Sequence, residues 1–180
     1  ADAQQRLTSP KDFFGHEIGA DYVLPNYTKF VEYWQRLATE SDRMELDTIG
    51  FTAEGRPQLT AIVSSPENLA RLDVIATGLK SLGDPRGTSR EAARSVVERS
   101  PAVVWIACGI HGNETAGPEA CAALLYTLAA SREPGIEELL SSLVVVVDPC
   151  ANPDGHERHV AYSRSVAGDA HDPHPFARET

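Results

Sequence analysis

Two short apolar runs, separated by helical patterns, constrain the fold of this chain more than any other feature. The first run covers residues 102–107 and the second covers residues 143–147. Each is short enough for a strand buried in a sheet. Helical patterns occupy the interval, over about 115–130 and 134–142. This strand, helix, helix, strand order predicts a crossover unit with two parallel strands, which is normally right-handed.

The amino-terminal half adds a helix and a hairpin to this unit. Apolar residues recur at helical spacing over 27–40, and Asn26 is placed to cap that helix. Two strands are predicted over 44–52 and 58–64, joined by a turn that contains Gly55.

Two more helices are predicted before the first apolar run. One covers about 67–82, and the other covers 89–99 after a capping-box pattern of Thr88 and Glu91. The expected fold class is therefore α/β, with a mixed, mostly parallel sheet and helices on both faces. We expect residues 1–25 to form an amino-terminal arm and residues 26–180 to form part of one domain.

Composition excludes several classes of function. The chain has 180 residues and a net charge of -10, which disfavours a nucleic-acid surface. It contains no apolar stretch near the ~20 residues of a membrane-spanning helix, and no basic amphipathic helix.

The three cysteines, Cys108, Cys121 and Cys150, are interpreted as small buried residues, although one pair plus a leftover thiol is possible.

The turn after the first apolar run carries the most informative side chains. His111 and Glu114 lie three residues apart in a segment that contains Gly109 and Gly112. Glycine permits backbone turns that other residues resist. Imidazole nitrogen and carboxylate oxygen are both zinc ligands. Because sites in open α/β sheets form beyond the carboxyl ends of strands, this position favours a metal site.

A second turn follows the second apolar run. Residues 152–155 read Asn-Pro-Asp-Gly, which contains two strong turn dipeptides. If the two strands are parallel, this loop lies at the same sheet end as His111. Arg158 and Arg164 come shortly after it, and an arginine there could bind a carboxylate or polarise a carbonyl.

Together the two turns resemble those of the zinc carboxypeptidase family of metallopeptidases. The matching residues are 111–114 and 152–155, each at the end of an apolar strand. Residues 6–10, 13–15 and 52–57 also look like the opening of large bacterial members, which are typically exported and much longer. The resemblance spans most of residues 6–160.

The resemblance implies roles for several residues. His111 and Glu114 would be the first two ligands of a Zn2+ ion, in an enzyme that hydrolyses a peptide or protein substrate. The Asn-Pro-Asp-Gly loop would shape the cleft. A later arginine would stabilise the oxyanion; Arg164 is the nearest candidate and Arg158 is the alternative.

The chain also departs from the family's pattern. The family has a third zinc ligand, a downstream histidine, together with an Asn-Arg pair that holds the terminal carboxylate and a late glutamate that acts as general base. No Asn-Arg dipeptide occurs in the sequence, and we expect these groups beyond Thr180. We therefore expect an incomplete peptidase domain that binds zinc weakly, has no peptidase activity alone and exposes an apolar sheet edge.

Other histidines have ligand-like spacing. His156 and His159 form one such pair, and His171 and His174 form another. We interpret all four as exposed, solvated side chains of a polar tail.

Two other functions stay open. Zinc-dependent deacylases of the succinylglutamate desuccinylase and aspartoacylase type share the His-Gly-x-Glu turn, but the Asn-Pro-Asp-Gly loop favours the peptidase. A non-catalytic peptide-binding module is the other alternative. The resemblance implies a secreted or periplasmic location, and the sequence leaves the oligomeric state open.

Overall fold

The computed structural model of the protein describes residues 7–166, which form a four-stranded sheet with eight α-helices. The strands are β1 (Met44–Phe51), β2 (Pro57–Val63), β3 (Ala102–Ala107) and β4 (Leu143–Asp148). The helices are α1 (Pro10–Phe14), α2 (Tyr27–Glu40), α3 (Pro66–Leu69), α4 (Leu72–Gly83), α5 (Arg90–Arg99), α6 (Ala116–Ala130), α7 (Pro134–Ser142) and α8 (Pro153–Val166). None of the helices within residues 7–166 has the length and apolarity needed to cross a bilayer.

The strands lie in the order β1-β2-β4-β3. Strands β3 and β4 pair in parallel, with Ala102 opposite Leu143, as the crossover pattern predicts. The mixed sheet of an α/β fold is thus confirmed. Among the described residues, however, the β1–β2 and β2–β4 pairings are antiparallel, so parallel pairings are fewer than expected. The tight turn between β1 and β2 forces that hairpin to be antiparallel.

The main core lies between one face of the sheet and helices α2 and α6. Phe30 and Trp34 of α2 are fully buried, and their rings stack with centroids 5.4 Å apart. Val63 and Val147 face them from β2 and β4, in the same apolar cluster. The helical spacing over 27–40 therefore predicted both this helix and its buried face. Asn26 caps it as predicted, accepting the Lys29 N–H at 3.1 Å.

The helix predicted over 67–82 is divided into α3 and α4. The cause is Asn68, whose buried side chain donates to the backbone oxygens of Leu140 and Ser141 at 3.2 and 3.0 Å. These bonds fix α3 against the end of α7, and α4 begins anew after Arg71, whose backbone is not helical. A side chain that anchors to a distant segment leaves no trace in local periodicity.

The capping box predicted at Thr88 is wrong by one residue. Ser89 is the N-cap of α5, and its hydroxyl accepts the Ala92 N–H at 3.1 Å. The Thr88 hydroxyl instead donates to the Ser81 carbonyl at 2.9 Å, which ties α5 to the end of α4.

Strand β3 differs from its prediction as a buried strand. It pairs only with β4 among the described residues, and Trp105 is 70% exposed. Val103 and Val104 are exposed as well. This agrees with the expected apolar sheet edge.

The parallel pairing of β3 and β4 continues past the ends of both strands. The Cys108 N–H donates to the Asp148 carbonyl at 3.0 Å, and the Ala151 N–H donates to the Cys108 carbonyl at 2.8 Å. The Asn152 N–H then reaches the Gly109 carbonyl at 3.0 Å. Because these bonds are backbone to backbone, they hold the two strand-end loops side by side whatever side chains they carry.

A contact between two glycines completes this juxtaposition. A Cβ atom at Gly112 would lie 2.1 Å from the carbonyl carbon of Gly155. A Cβ atom at Gly155 would lie 2.5 Å from Nδ2, the side-chain amide nitrogen of Asn152. The two loops can approach this closely only because Gly112 has no side chain, and Gly155 leaves room for the Asn152 side chain of its own loop.

We expect Gly112→Ala to lower the free energy of unfolding by about 3 kcal/mol, because the new methyl group can be accommodated only by moving backbone. Urea denaturation followed by circular dichroism measures this change. Gly135→Ala is the matched control, since Gly135 has open space around its Cβ position and lies in the first turn of α7. That control should be neutral or stabilising by about 0.4–1 kcal/mol. Equal stability of the two variants would contradict the close packing of the loops.

Candidate active site

A cleft of about 620 Å³ opens at the carboxyl ends of β3 and β4. It is lined by the turn after β3 and by the loop after β4: His111, Gly112, Asn113, Glu114 and Asn152. The two motifs singled out in the sequence thus meet in one cleft, as the parallel strands predicted.

His111 and Glu114 are already paired in this turn. The imidazole Nδ1 of His111 lies 3.0 Å from Glu114 Oε1, and the His111 backbone N–H donates to Oε2 at 3.0 Å. These two bonds lower the pKa of Glu114, the side-chain bond contributing most. Both side chains are exposed in the cleft, at 74% and 54%. The turn therefore presents an ionised carboxylate and an imidazole to the same point in solvent.

The spacing of these two donors fits a zinc ion. Zinc binds histidine nitrogen and carboxylate oxygen at about 2.0–2.2 Å. Two such ligands at bond angles of ~90–110° lie about 3.0–3.4 Å apart, and the observed separation of Nδ1 and Oε1 is 3.0 Å. This separation suits two ligands of one cation, for which the imidazole nitrogen would turn from the carboxylate towards the ion.

The described part of the chain supplies only this pair of donors. Residues 7–166 contain no group of three histidine, cysteine or carboxylate side chains able to hold a metal. His171 and His174 lie outside the described residues.

The Asn-Pro-Asp-Gly loop is the beginning of helix α8, which the sequence analysis missed. Asn152 Oδ1 accepts the Gly155 N–H at 2.9 Å, and the Asn152 carbonyl accepts the His156 N–H at 3.0 Å. Pro153 occupies the first helical position. An asparagine cap followed by proline is itself a helix-start signal, which could have been recognised in the sequence. The cap fixes Asn152 rigidly at the edge of the cleft.

Asp154 connects this loop to the β1–β2 hairpin. Its Oδ1 accepts from Thr52 Oγ1 and Arg56 Nη1, both at 2.7 Å, and its Oδ2 accepts the Glu54 N–H at 3.2 Å. Burial alone would raise the pKa of Asp154, but these donors together lower it. We call this cluster of Asp154, Thr52, Glu54 and Arg56 the hairpin latch.

The two candidate arginines lie at different places along α8. Arg158 is paired with Glu54 of the hairpin latch, its Nε 3.1 Å from the carboxylate. Arg164 donates on the surface to the carbonyl of Leu24, which lies before α2, at 2.9 Å. Neither guanidinium is bonded to His111 or Glu114 within residues 7–166. Their catalytic roles stay predictions.

The interpretation of His156 and His159 as solvated side chains is wrong, because both are buried in α8. The ring of His156 is 2% exposed, and its Nε2 lies 3.0 Å from the Pro25 carbonyl. Burial lowers the pKa of His156. The ring also packs edge-on against Phe30, at a centroid distance of 5.7 Å. These contacts join α8 to α2, which local sequence cannot reveal.

We expect Asp154→Ala to lower the free energy of unfolding at pH 7 by about 2 kcal/mol, because it removes a mostly buried, charged acceptor of three hydrogen bonds. Native-state hydrogen exchange should also show faster exchange at residues 52–56. The matched control is Asp84→Ala, whose carboxylate pairs with Arg86 in full exposure. Because that pair is exposed to solvent, the change should leave the free energy of unfolding unchanged within the error of the measurement.

The effect of Asp154→Ala also depends on pH. Because folding lowers the pKa of Asp154, the stabilisation is complete above the unfolded pKa of about 3.9 and is lost as the pH falls through the folded value. The difference between wild type and variant should therefore shrink below about pH 4. A difference that grew on acidification would contradict the latch.

Known proteins are similar to this chain in sequence and in fold. The sequence profile of the zinc carboxypeptidases matches residues 30–167. Carboxypeptidase 2 of Trichophyton tonsurans is 44% identical over 52 residues, which are 29% of this chain and 10% of that protein.

Two solved structures show the likeness in three dimensions. Thrombin activatable fibrinolysis inhibitor aligns with a TM-score of 0.57 at 17% identity, over 88% of this chain and 31% of its own. Carboxypeptidase A of Helicoverpa armigera aligns with a TM-score of 0.54 at 20% identity, over 77% of this chain and 26% of its own.

The chain thus spans about a tenth of the curated relative and less than a third of each solved one. At such identities the structures establish the shared fold, while the profile covers well over half of the sequence. The chain therefore belongs to the zinc carboxypeptidase family.

Proposed function

We propose that this chain contributes the first part of the active site of a zinc-dependent metallocarboxypeptidase that hydrolyses peptide bonds. The observation that carries the proposal is the pair of His111 Nδ1 and Glu114 Oε1, 3.0 Å apart in a cleft that also holds Asn152. Membership of the zinc carboxypeptidase family supports a peptide or protein as the substrate.

In this proposal His111 and Glu114 hold the Zn2+ ion. When bound, zinc polarises a carbonyl and lowers the pKa of a water molecule toward neutrality. The chain's own contribution is to fix the two ligands. The Gly112–Gly155 contact and the backbone bonds between the strand-end loops hold the turn in place. A catalytic zinc site has three protein ligands, so we place the third ligand and the general base outside residues 7–166.

We propose Arg164 as the group that stabilises the developing oxyanion, with Arg158 as the alternative. Arg164 lies in the last turn of α8, and its bond to the Leu24 carbonyl is exposed, so exchanging that bond for one to a substrate oxygen costs little. Arg158 is nearer to the cleft end of α8, but Glu54 already holds it. Comparing Arg164→Ala with Arg158→Ala in the full-length protein separates them, since loss of an oxyanion donor lowers kcat by about 100- to 1000-fold.

We also propose a secreted or periplasmic location, supported by the resemblance of residues 6–10 and 52–57 to exported family members. Immunodetection in culture medium and periplasmic extract checks it. Retention of the full-length protein in the cytoplasm would contradict it.

We expect the 180-residue chain to bind zinc weakly, because two donors provide less affinity than three. Isothermal titration with zinc alone should show at least tenfold weaker binding in His111→Ala and in Glu114→Gln, since even loss of a supporting residue costs 10- to 100-fold. His16→Gln, outside the cleft, is the control and should bind like wild type. Tight stoichiometric zinc in the His111→Ala protein would overturn the ligand assignment.

We expect the full-length protein to release carboxyl-terminal residues from a synthetic peptide, and a chelator to abolish the release. Glu114→Gln should reduce it to background, because a ligand is lost. The 180-residue chain alone should show no turnover. Zinc-dependent release of an acyl group from an N-acyl amino acid, with peptides untouched, would support the deacylase instead. Peptide binding without any hydrolysis would support the binding module.

A further inference from the structure

We propose that Cys108 and Cys121 form a reversible disulfide that closes the loop carrying His111 and Glu114. The thiols already touch: Cys121 Sγ lies 2.9 Å from Cys108 Sγ. A disulfide has an S–S length of about 2.03–2.05 Å, so the sulfurs need to approach by only about 0.9 Å. This inference does not depend on the proposed hydrolytic function.

Small residues bring the two cysteines together. Cys108 directly follows β3, and Cys121 lies in the second turn of α6. Helix α6 approaches the strand end closely because Gly117 has no side chain. A Cβ atom at Gly117 would lie 3.0 Å from the Gly109 nitrogen and 3.3 Å from Cys108 Cβ. The close approach of the two backbones thus brings the two cysteines next to each other.

The surroundings define the order of reaction. Cys121 is 1% exposed, and burial raises its pKa, whereas Cys108 is half-buried. Cys108 is thus the thiol that a solvent oxidant can reach. Cys150 is 2% exposed, and burial raises its pKa to about 12, so it is both shielded and unreactive.

The proposed oxidant is a small-molecule disulfide such as oxidised glutathione. The Cys108 thiolate attacks one of its sulfurs, forms a mixed disulfide and releases one glutathione thiolate. The Cys121 thiol then loses its proton to solvent, and its sulfur attacks Cys108 Sγ and expels the second glutathione thiolate. In sum, two protein thiols are oxidised to one disulfide while one glutathione disulfide is reduced to two thiols.

The consequence concerns the turn in the cleft. The closed loop runs from Cys108 to Cys121, thirteen positions along the chain, and contains both His111 and Glu114. A cross-link of this span removes conformational entropy from the unfolded chain. It also fastens the start of α6 to the end of β3, on either side of the His111–Glu114 pair. In an oxidising compartment, where such bonds persist, the disulfide would hold the turn covalently. Under reducing conditions only the packing of its glycines would hold the turn in place.

Peptide mapping tests the pairing directly. The chain is equilibrated in excess oxidised glutathione, then denatured and treated with iodoacetamide. Trypsin releases residues 100–132 as one peptide that contains Cys108 and Cys121, and residues 133–158 as another that contains Cys150. We expect the first peptide unalkylated and two hydrogen atoms lighter than its reduced form, and the second alkylated once. Alkylation of all three cysteines, or a linkage through Cys150, would overturn the proposal.

Variants and stability complete the test. Cys150→Ser should leave the result unchanged, and Cys121→Ser should leave Cys108 carrying one glutathione. The oxidised wild type should melt about 6–12 °C above the reduced protein, a difference that disappears in Cys121→Ser. Equal Tm values for the oxidised and reduced forms would contradict stabilisation by the disulfide. Zinc binding enters none of these readouts, so failure of the ligand assignment would leave this result intact.

Discussion

The candidate site depends on one steric constraint, the direct backbone contact between Gly112 and Gly155. The first glycine belongs to the turn after β3 and the second to the first turn of α8. With no side chain between them, the two loops lie edge to edge, and backbone hydrogen bonds extend the parallel pairing of β3 and β4 into both. The position of the imidazole and carboxylate over the cleft is a consequence of this packing, because His111 precedes Gly112 directly and Glu114 follows two residues later. The turn that carries His111 and Glu114 is thus positioned by main-chain geometry, and the polar side chains complete the cleft.

Around this contact, two buried or half-buried carboxylates of α8 hold the structure through hydrogen bonds. Asp154 accepts three hydrogen bonds from the hairpin between β1 and β2, and these keep it ionised despite its burial. Glu157 accepts from the backbone N–H of Tyr27 at 2.9 Å, which holds α8 against the start of α2. A buried charge is tolerable only when its hydrogen bonds are satisfied, and in α8 these partners come from distant parts of the chain. The helix that starts in the cleft is therefore fixed from both sides.

Much of the fold and of the candidate site could be predicted from the sequence, wherever the spacing of apolar residues gave a local, periodic signal. The helix over 27–40 and the two parallel strands follow from apolar spacing, and the meeting of the two motifs follows from the shared direction of the strands. The start of α8 carried a recognisable signal as well, in Asn152 and Pro153. Other features carried none. Asn68 interrupts a helix because it bonds to the end of α7, and His156 is buried because α2 lies against it. Such outcomes depend on which distant backbone a side chain meets, which no local window contains.

The sequence by itself determined which side chains could carry chemistry and which backbone positions could approach closely. It placed a histidine and a carboxylate three residues apart, put glycine where the turns need it and assigned each turn to the end of an apolar run. Only the tertiary structure decided that His111 Nδ1 and Glu114 Oε1 lie 3.0 Å apart, that Cys108 meets Cys121, and that α8 buries its histidines. The reason is that covalent spacing limits separation along the chain, whereas distances across the fold are set by packing, through glycines that permit contact and hydrogen bonds that hold it.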